Sequence, residues 1–201
     1  MSTPWIKVCG LTTPEAVFAA LSAGADAIGF VFAESVRRTT PERAAQLAAP
    51  ARGRAKCVAV TRHPTRAAVD EILKFFRPDL LQTDVEDLEH LELPKQLELL
   101  PVLRATGGTP AMLPPRLLFE GPTSGRGQRV DWNQARSLAR QTQMVLAGGL
   151  TPENVAQAIA TVHPYGVDVS SGVEQQPGIK SVEKIAAFVA AARASAQEEI
   201  S

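Results

Sequence analysis

Short apolar runs alternate with amphipathic stretches along this chain. The runs fall at Trp5–Cys9, Asp26–Phe32, Lys56–Val60, Leu80–Gln82, Leu99–Leu103, Arg116–Phe119, Met144–Ala147 and Tyr165–Val169. Each has the length of a buried strand rather than a helix. The stretches between them begin with recognisable helix starts. Thr13-Pro14-Glu15, Thr40-Pro41-Glu42, His63-Pro64-Thr65 and Thr151-Pro152-Glu153 set a polar or capping residue before a proline at the first helical turn. Helix is therefore expected after each strand. The fifth unit is weakest, because Thr106 to Pro115 is too rich in glycine and proline for a full helix.

Strand-helix alternation argues for an α/β protein with a parallel sheet, and eight units without a break in composition argue for a closed (β/α)8 TIM barrel with a reduced or missing fifth helix. At 201 residues the chain suits a single domain, residues 1–201. The segment Gly121–Gln128 reads as a flexible loop and the likeliest lid, and the tail ending at Ser201 as a fraying end.

Composition narrows the class. Lys plus Arg number 21 and Asp plus Glu number 21, so no basic face for nucleic acid is implied. No apolar stretch reaches the roughly 18 residues of a membrane span, and no leader is evident, so a cytoplasmic location is expected. Cys9 and Cys57 then read as separate thiols rather than a disulfide. None of the three histidines has a partner at metal-ligand spacing, so no metal is expected.

In such a barrel, functional residues gather at the carboxyl ends of the strands. That filter selects Cys9, which directly precedes Gly10, and rejects Cys57 at the other end of its strand. Alternation puts Lys7 and Cys9 on one face of the first strand, pointing inward, with Ile6 and Val8 under the helices. The inward residue of the eighth strand, which neighbours the first in a closed barrel, is Asp168. A buried Lys7–Asp168 pair is expected, with Lys7 favouring the Cys9 thiolate against desolvation; an inert ion pair beside an inert thiol is the alternative.

Two successive strand ends carry a phosphate signal. Gly148 and Gly149 follow the seventh strand, and Ser170, Ser171 and Gly172 follow the eighth, where a short helix would aim its amino end at the same point. Tight turns without a ligand are the competing explanation. Asp131 could cap the helix that starts at Trp132 or donate a proton. Arg37 and Arg38 lie near the rim, where a guanidinium suits a carboxylate, although solvated loop arginines are commoner.

The motif Lys7-Val-Cys-Gly-Leu-Thr12 resembles the opening of the phosphoribosylanthranilate isomerases. The resemblance extends through Gly24–Phe32, Ser35-Val-Arg37, Asp131-Trp132, Ala147–Asn154 and Val167–Glu174 to Pro177-Gly178 and Lys180. It implies an enzyme of tryptophan biosynthesis that performs an Amadori rearrangement without a cofactor. By position it implies Cys9 as general base, Asp131 as general acid kept protonated by burial or by the substrate, Arg37 on the anthranilate carboxylate, and Gln82 as a further substrate contact. The chain departs from the family at Thr83-Asp84-Val85, at Glu120 where an Asp is usual, and at Ser181. Its partner would be a small-molecule substrate, and monomer and homodimer both remain open. Two other readings stand beside this one: the histidine-pathway isomerase of the same architecture, with carboxylates in both roles and two phosphates, and a barrel that binds a phosphorylated ligand without turnover.

Overall fold

The structure is a computed structural model that describes residues 3–105, 112–122 and 129–195. Eight parallel strands close into a barrel in sequential order: β1 (Trp5–Cys9), β2 (Ala27–Val31), β3 (Lys56–Val60), β4 (Leu80–Asp84), β5 (Glu98–Arg104), β6 (Arg116–Glu120), β7 (Gln143–Leu146) and β8 (Gly166–Val169). Strand β8 pairs with β1 and completes the circle. All eight expected strands are present, with ends displaced by up to two residues.

Alternation along the strands sorts side chains into two layers. Ala27, Val58, Leu80, Leu100, Val102, Leu118 and Val145 fill the barrel interior. Ile6, Val8, Ile28, Leu117 and Val167 face outward into the layer beneath the helices. The result is a packed centre with its chemistry confined to one end.

The sheath consists of α1 (Pro14–Ala23), α2 (Pro41–Ala48), α3 (Arg66–Glu71), α4 (Trp132–Ala139), α5 (Val155–Val162) and α6 (Val182–Ala194). Thr13 and Thr40 cap their helices as expected, and Thr65, rather than His63 ahead of Pro64, caps α3; each hydroxyl accepts from the backbone N–H three residues on. Two expectations fail. Thr151-Pro152-Glu153 does not begin a helix: α5 starts at Val155, because Asn154 turns its side chain back to accept from Thr151 N and donate to Gly149 O. Nor does a helix follow every strand. After β4 there is only a 3-10 turn, Val85–Glu89, and Pro94 lies in the short stretch before β5. The described part of the fifth connection, residues 112–115, holds no helix; residues 106–111, on which the reduced fifth helix was also expected, lie outside the described residues, as do most of the anticipated lid and the tail.

After β8 the chain makes one 3-10 turn, Ser171–Val173, and a small hairpin of β9 (Glu174–Gln176) and β10 (Ile179–Lys180) before α6. This hairpin lies over the same end of the barrel as the strand termini, and it supplies two charged residues to the site.

Candidate active site

Lys7 and Asp168 are register partners across β1 and β8, and Nζ donates to Oδ1 at 2.8 Å. Lys7 is wholly buried. Burial works against its charge, but Asp168 and the neighbouring Cys9 outweigh that cost, and its pKa is pushed up to about 12.

Cys9 ends β1 one inward position above Lys7 and is 6% exposed. Its thiol lies close to Gly29 on β2, where an added Cβ would sit 3.0 Å from Sγ. Burial pushes the Cys9 pKa above its ordinary value; Lys7 and Lys180 pull it down and Asp168 adds to the rise. Lys7 thus pulls toward the thiolate, in the direction expected, while desolvation exceeds the attraction of the nearby ammonium groups. Cys57, buried near the opposite end of β3, has its pKa raised to about 11 by burial.

Above Cys9 opens a cavity of about 150 Å³ whose wall includes Arg37, Gln82, Glu120, Asp168 and Ser170. Gln82, on β4, is buried, and its Oε1 has no hydrogen-bond partner among the described residues. Arg37 is not the solvated loop arginine that was the commoner alternative. It is buried, and it holds Glu174 through two bonds, Nε to Oε1 at 2.6 Å and Nη2 to Oε2 at 2.8 Å. It reaches Glu174 by crossing Gly10, whose Cβ, if present, would lie 2.6 Å from Arg37 Cδ.

The two glycine loops meet. A Cβ on Gly172 would stand 1.9 Å from the carbonyl oxygen of Leu150, so the loops after β7 and β8 pack at a distance only glycine permits. Gly148 and Gly149 both take positive φ. The backbone N–H groups of Gly148, Gly149, Ser171 and Gly172 donate to no other described residue. Four unpaired donors on two touching loops suit an anion.

Asp131 is exposed and caps α4, its Oδ1 accepting from Asn133 N at 2.8 Å. It is not among the residues lining the cavity. The carboxyl that does line the cavity is Glu120, the last residue of β6. Arg104 Nη1 donates to Glu120 at 2.8 Å while its Nη2 donates to Asp84 at 2.6 Å. Asp84 and Glu120 stood out in the sequence only as departures from the family, and Arg104 not at all, although all three are terminal residues of their strands and the strand-end filter selects them. Glu174 and Lys180 were read only as parts of a motif.

His63, Asp84 and Asp87 bring one possible ligand atom each within 4.8 Å. Arg104 and Arg62 already flank Asp84, and Thr83 and His63 hold Asp87, so this cluster is satisfied by its own cations and donors. No helix among the described residues is long and apolar enough to cross a membrane.

Residues 6–191 match the family model described as N-(5'phosphoribosyl)anthranilate (PRA) isomerase. The chain belongs to the phosphoribosylanthranilate isomerase family. Curated relatives of that name include one from Rhizobium johnstonii, 42% identical over 92% of both chains, and one from Brucella canis, 42% identical over 96% of both. Among solved structures, the phosphoribosyl anthranilate isomerase of Thermus thermophilus superposes with a TM-score of 0.80 at 30% identity, covering 92% of this chain and 96% of that one. The Thermotoga maritima isomerase gives 0.82 at 26% identity, covering 95% and 99%. A further phosphoribosylanthranilate isomerase structure, in complex with reduced 1-(o-carboxyphenylamino)-1-deoxyribulose 5-phosphate, gives 0.78 at 25% identity over the same shares. As a phosphoribosylanthranilate isomerase family member, the chain is an isomerase of tryptophan biosynthesis.

Proposed function

We propose that this isomerase converts N-(5'-phosphoribosyl)anthranilate into 1-(2-carboxyphenylamino)-1-deoxyribulose 5-phosphate by two proton transfers, with Cys9 as the base. The observation that carries this reading is a thiol at the floor of a cavity walled by a strand-end carboxyl, Glu120, with the anion-ready loops beside it.

A general acid protonates the furanose ring oxygen, the C1–O bond breaks, and the nitrogen lone pair leaves a protonated Schiff base at C1. That cation acidifies the C2 proton. The Cys9 thiolate removes it, the bonding pair forms a C1–C2 double bond, and the enolamine tautomerises to the ketone. Burial raises the Cys9 pKa, and Lys7 and Lys180, which lower it, serve to hold the thiolate within reach.

For the acid, the family resemblance pointed to Asp131, whereas the cavity lining favours Glu120, which must take up a proton as substrate binds because Arg104 pairs with its carboxylate at rest. Asp131 then serves as the cap of α4. Arg37 is the guanidinium for the anthranilate carboxylate, Gln82 a polar contact through its unpaired Oε1, and Gly148, Gly149, Ser170, Ser171 and Gly172 the phosphate cradle.

The test follows the loss of anthranilate-type fluorescence when freshly generated phosphoribosylanthranilate meets the protein. Rapid loss that disappears in Cys9→Ala supports the reading. Unchanged fluorescence with the parent protein would leave a phosphate-binding barrel without this activity. A substrate with two phosphates, as in the histidine pathway, is disfavoured because only one pair of loops forms such a cradle among the described residues.

A further inference from the structure

Three ionised side chains lie buried behind the cavity, and two of them are cations. Glu174 opens β9, and its Oε1 accepts from both Arg37 Nε at 2.6 Å and Lys180 Nζ at 2.9 Å. Lys180 Nζ continues to Ser170, donating to its carbonyl oxygen at 2.8 Å and its hydroxyl at 3.2 Å. The backbone oxygen of Glu174 accepts from Lys184 Nζ at 2.8 Å, which fixes the residue from the outer side as well. Arg37, Glu174 and Lys180 are all buried.

Stability alone is a poor reason for this cluster. Burying charges costs several kcal/mol per ion, and well-packed apolar residues commonly do as well. The cluster also carries one more positive than negative charge, so it is not neutral by itself. Two of its ends, Arg37 and Ser170, line the cavity that holds Cys9. A buried excess of positive charge beside a cavity suits an anionic ligand, and the substrate proposed above carries an anion at each end.

We infer that Glu174 is a positioning residue that fixes both ends of the substrate site at once, holding Arg37 for the carboxylate and, through Lys180, Ser170 for the phosphate. The inference rests on the proposed reaction. It assigns Glu174 no contact with reacting atoms: its work is to keep two anion-binding groups at a fixed separation, so that a substrate anchored at one end finds the other in place. Gly10 is part of the arrangement, since a Cβ there would meet both Arg37 Cδ, at 2.6 Å, and Ser170 Oγ, at 3.1 Å.

The experiment compares parent, Glu174→Gln, Arg37→Gln and Lys180→Gln proteins. It measures kcat and KM with phosphoribosylanthranilate, and competitive inhibition by anthranilate and by inorganic phosphate as separate probes of the two ends. Glu174→Gln is expected to raise KM about ten-fold or more while kcat falls less, the signature of lost binding that is uniform through the reaction. It should weaken both inhibitors, whereas Arg37→Gln weakens chiefly anthranilate and Lys180→Gln chiefly phosphate. Should neither probe inhibit the parent, the KM-against-kcat split decides.

Absence of turnover by the parent would refute the proposed reaction, a different failure from that of this inference. With an active parent, a Glu174→Gln protein that melts earlier but keeps parental KM overturns the inference, as does one that weakens a single inhibitor. If Glu174→Gln does not fold, Glu174→Asp keeps the charge but is one methylene short of spanning both cations. It must then raise KM or at least one inhibition constant, and parental values for all three overturn the inference.

Discussion

Lys7 and Asp168 face each other across the seam that closes the barrel, register partners on β1 and β8 joined Nζ to Oδ1 at 2.8 Å. Removing one partner strands the other charge in the interior. Lys7→Met is expected to cost about 3–5 kcal/mol in urea unfolding, while Lys7→Met/Asp168→Leu together should recover most of that loss. The pair also sets a pH dependence. The folded pKa of Lys7 is raised from 10.5 to about 12, so its contribution is fully present below 10.5 and is lost as pH rises through about 12. Parent stability measured from pH 9 upward should fall across that window by more than that of the double variant.

Cys9→Ala should lower kcat/KM by about 10²–10⁴-fold, the usual worth of a positioned proton-transfer group, with little change in melting temperature. Burial raises the thiol pKa, so the base-dependent limb of the parent kcat/KM profile should climb beyond neutral pH into the alkaline range. Lys180 lowers the Cys9 pKa, and Lys180→Gln should therefore move that limb to higher pH. A profile already flat below pH 7 would contradict the role given to Cys9.

Glu120 and Asp131 separate cleanly by substitution. Glu120→Gln keeps the shape and the bond to Arg104 but cannot give up a carboxyl proton, and kcat is expected to fall about 10²-fold or more. Asp131→Ala removes a helix cap and should cost about 1 kcal/mol of stability with modest effect on kcat. Steady-state kinetics and thermal melts on the two variants distinguish the assignments: loss of turnover in Asp131→Asn, where the cap is retained, would restore Asp131 as the acid.

Gly172→Ala forces a Cβ to within 1.9 Å of the Leu150 carbonyl oxygen, so the two loops after β7 and β8 must separate. KM should rise about ten-fold or more, and the stabilisation of the parent by inorganic phosphate in a thermal melt should disappear. Equal phosphate protection in parent and variant would place the phosphate elsewhere.

How much of this was legible in the sequence depends on the range of the forces involved. Strands and threonine-capped helix starts are local, and periodicity with capping chemistry located them. The Lys7–Asp168 pair is long-range, yet strand alternation and barrel closure sufficed to foresee it. The pairing of Arg37 was out of reach because its partner, Glu174, is 137 positions away on a hairpin that no periodicity announces. The outcome of the balance at Cys9 between burial and two ammonium groups was not legible, because depth of burial is a property of the packed molecule. The start of α5 was misjudged because Asn154 spends its side chain on the preceding loop instead of capping.

The stretch between β4 and β5 has a 3-10 turn in place of an α-helix, with Leu91, Leu93 and Leu97 only partly buried against the core. Among the described residues the sheath is therefore thinner beside β4. Cys9, the Lys7–Asp168 seam and the glycine loops stand on the side clad by α1, α5 and α6, whereas Gln82 stands on β4, the strand that this turn follows. Amide exchange should open the thin side first. The molecule then works as an anvil and a spring: the proposed base and phosphate anchor are set in the stiff part, and Gln82, the proposed polar contact, is carried by the part that can give.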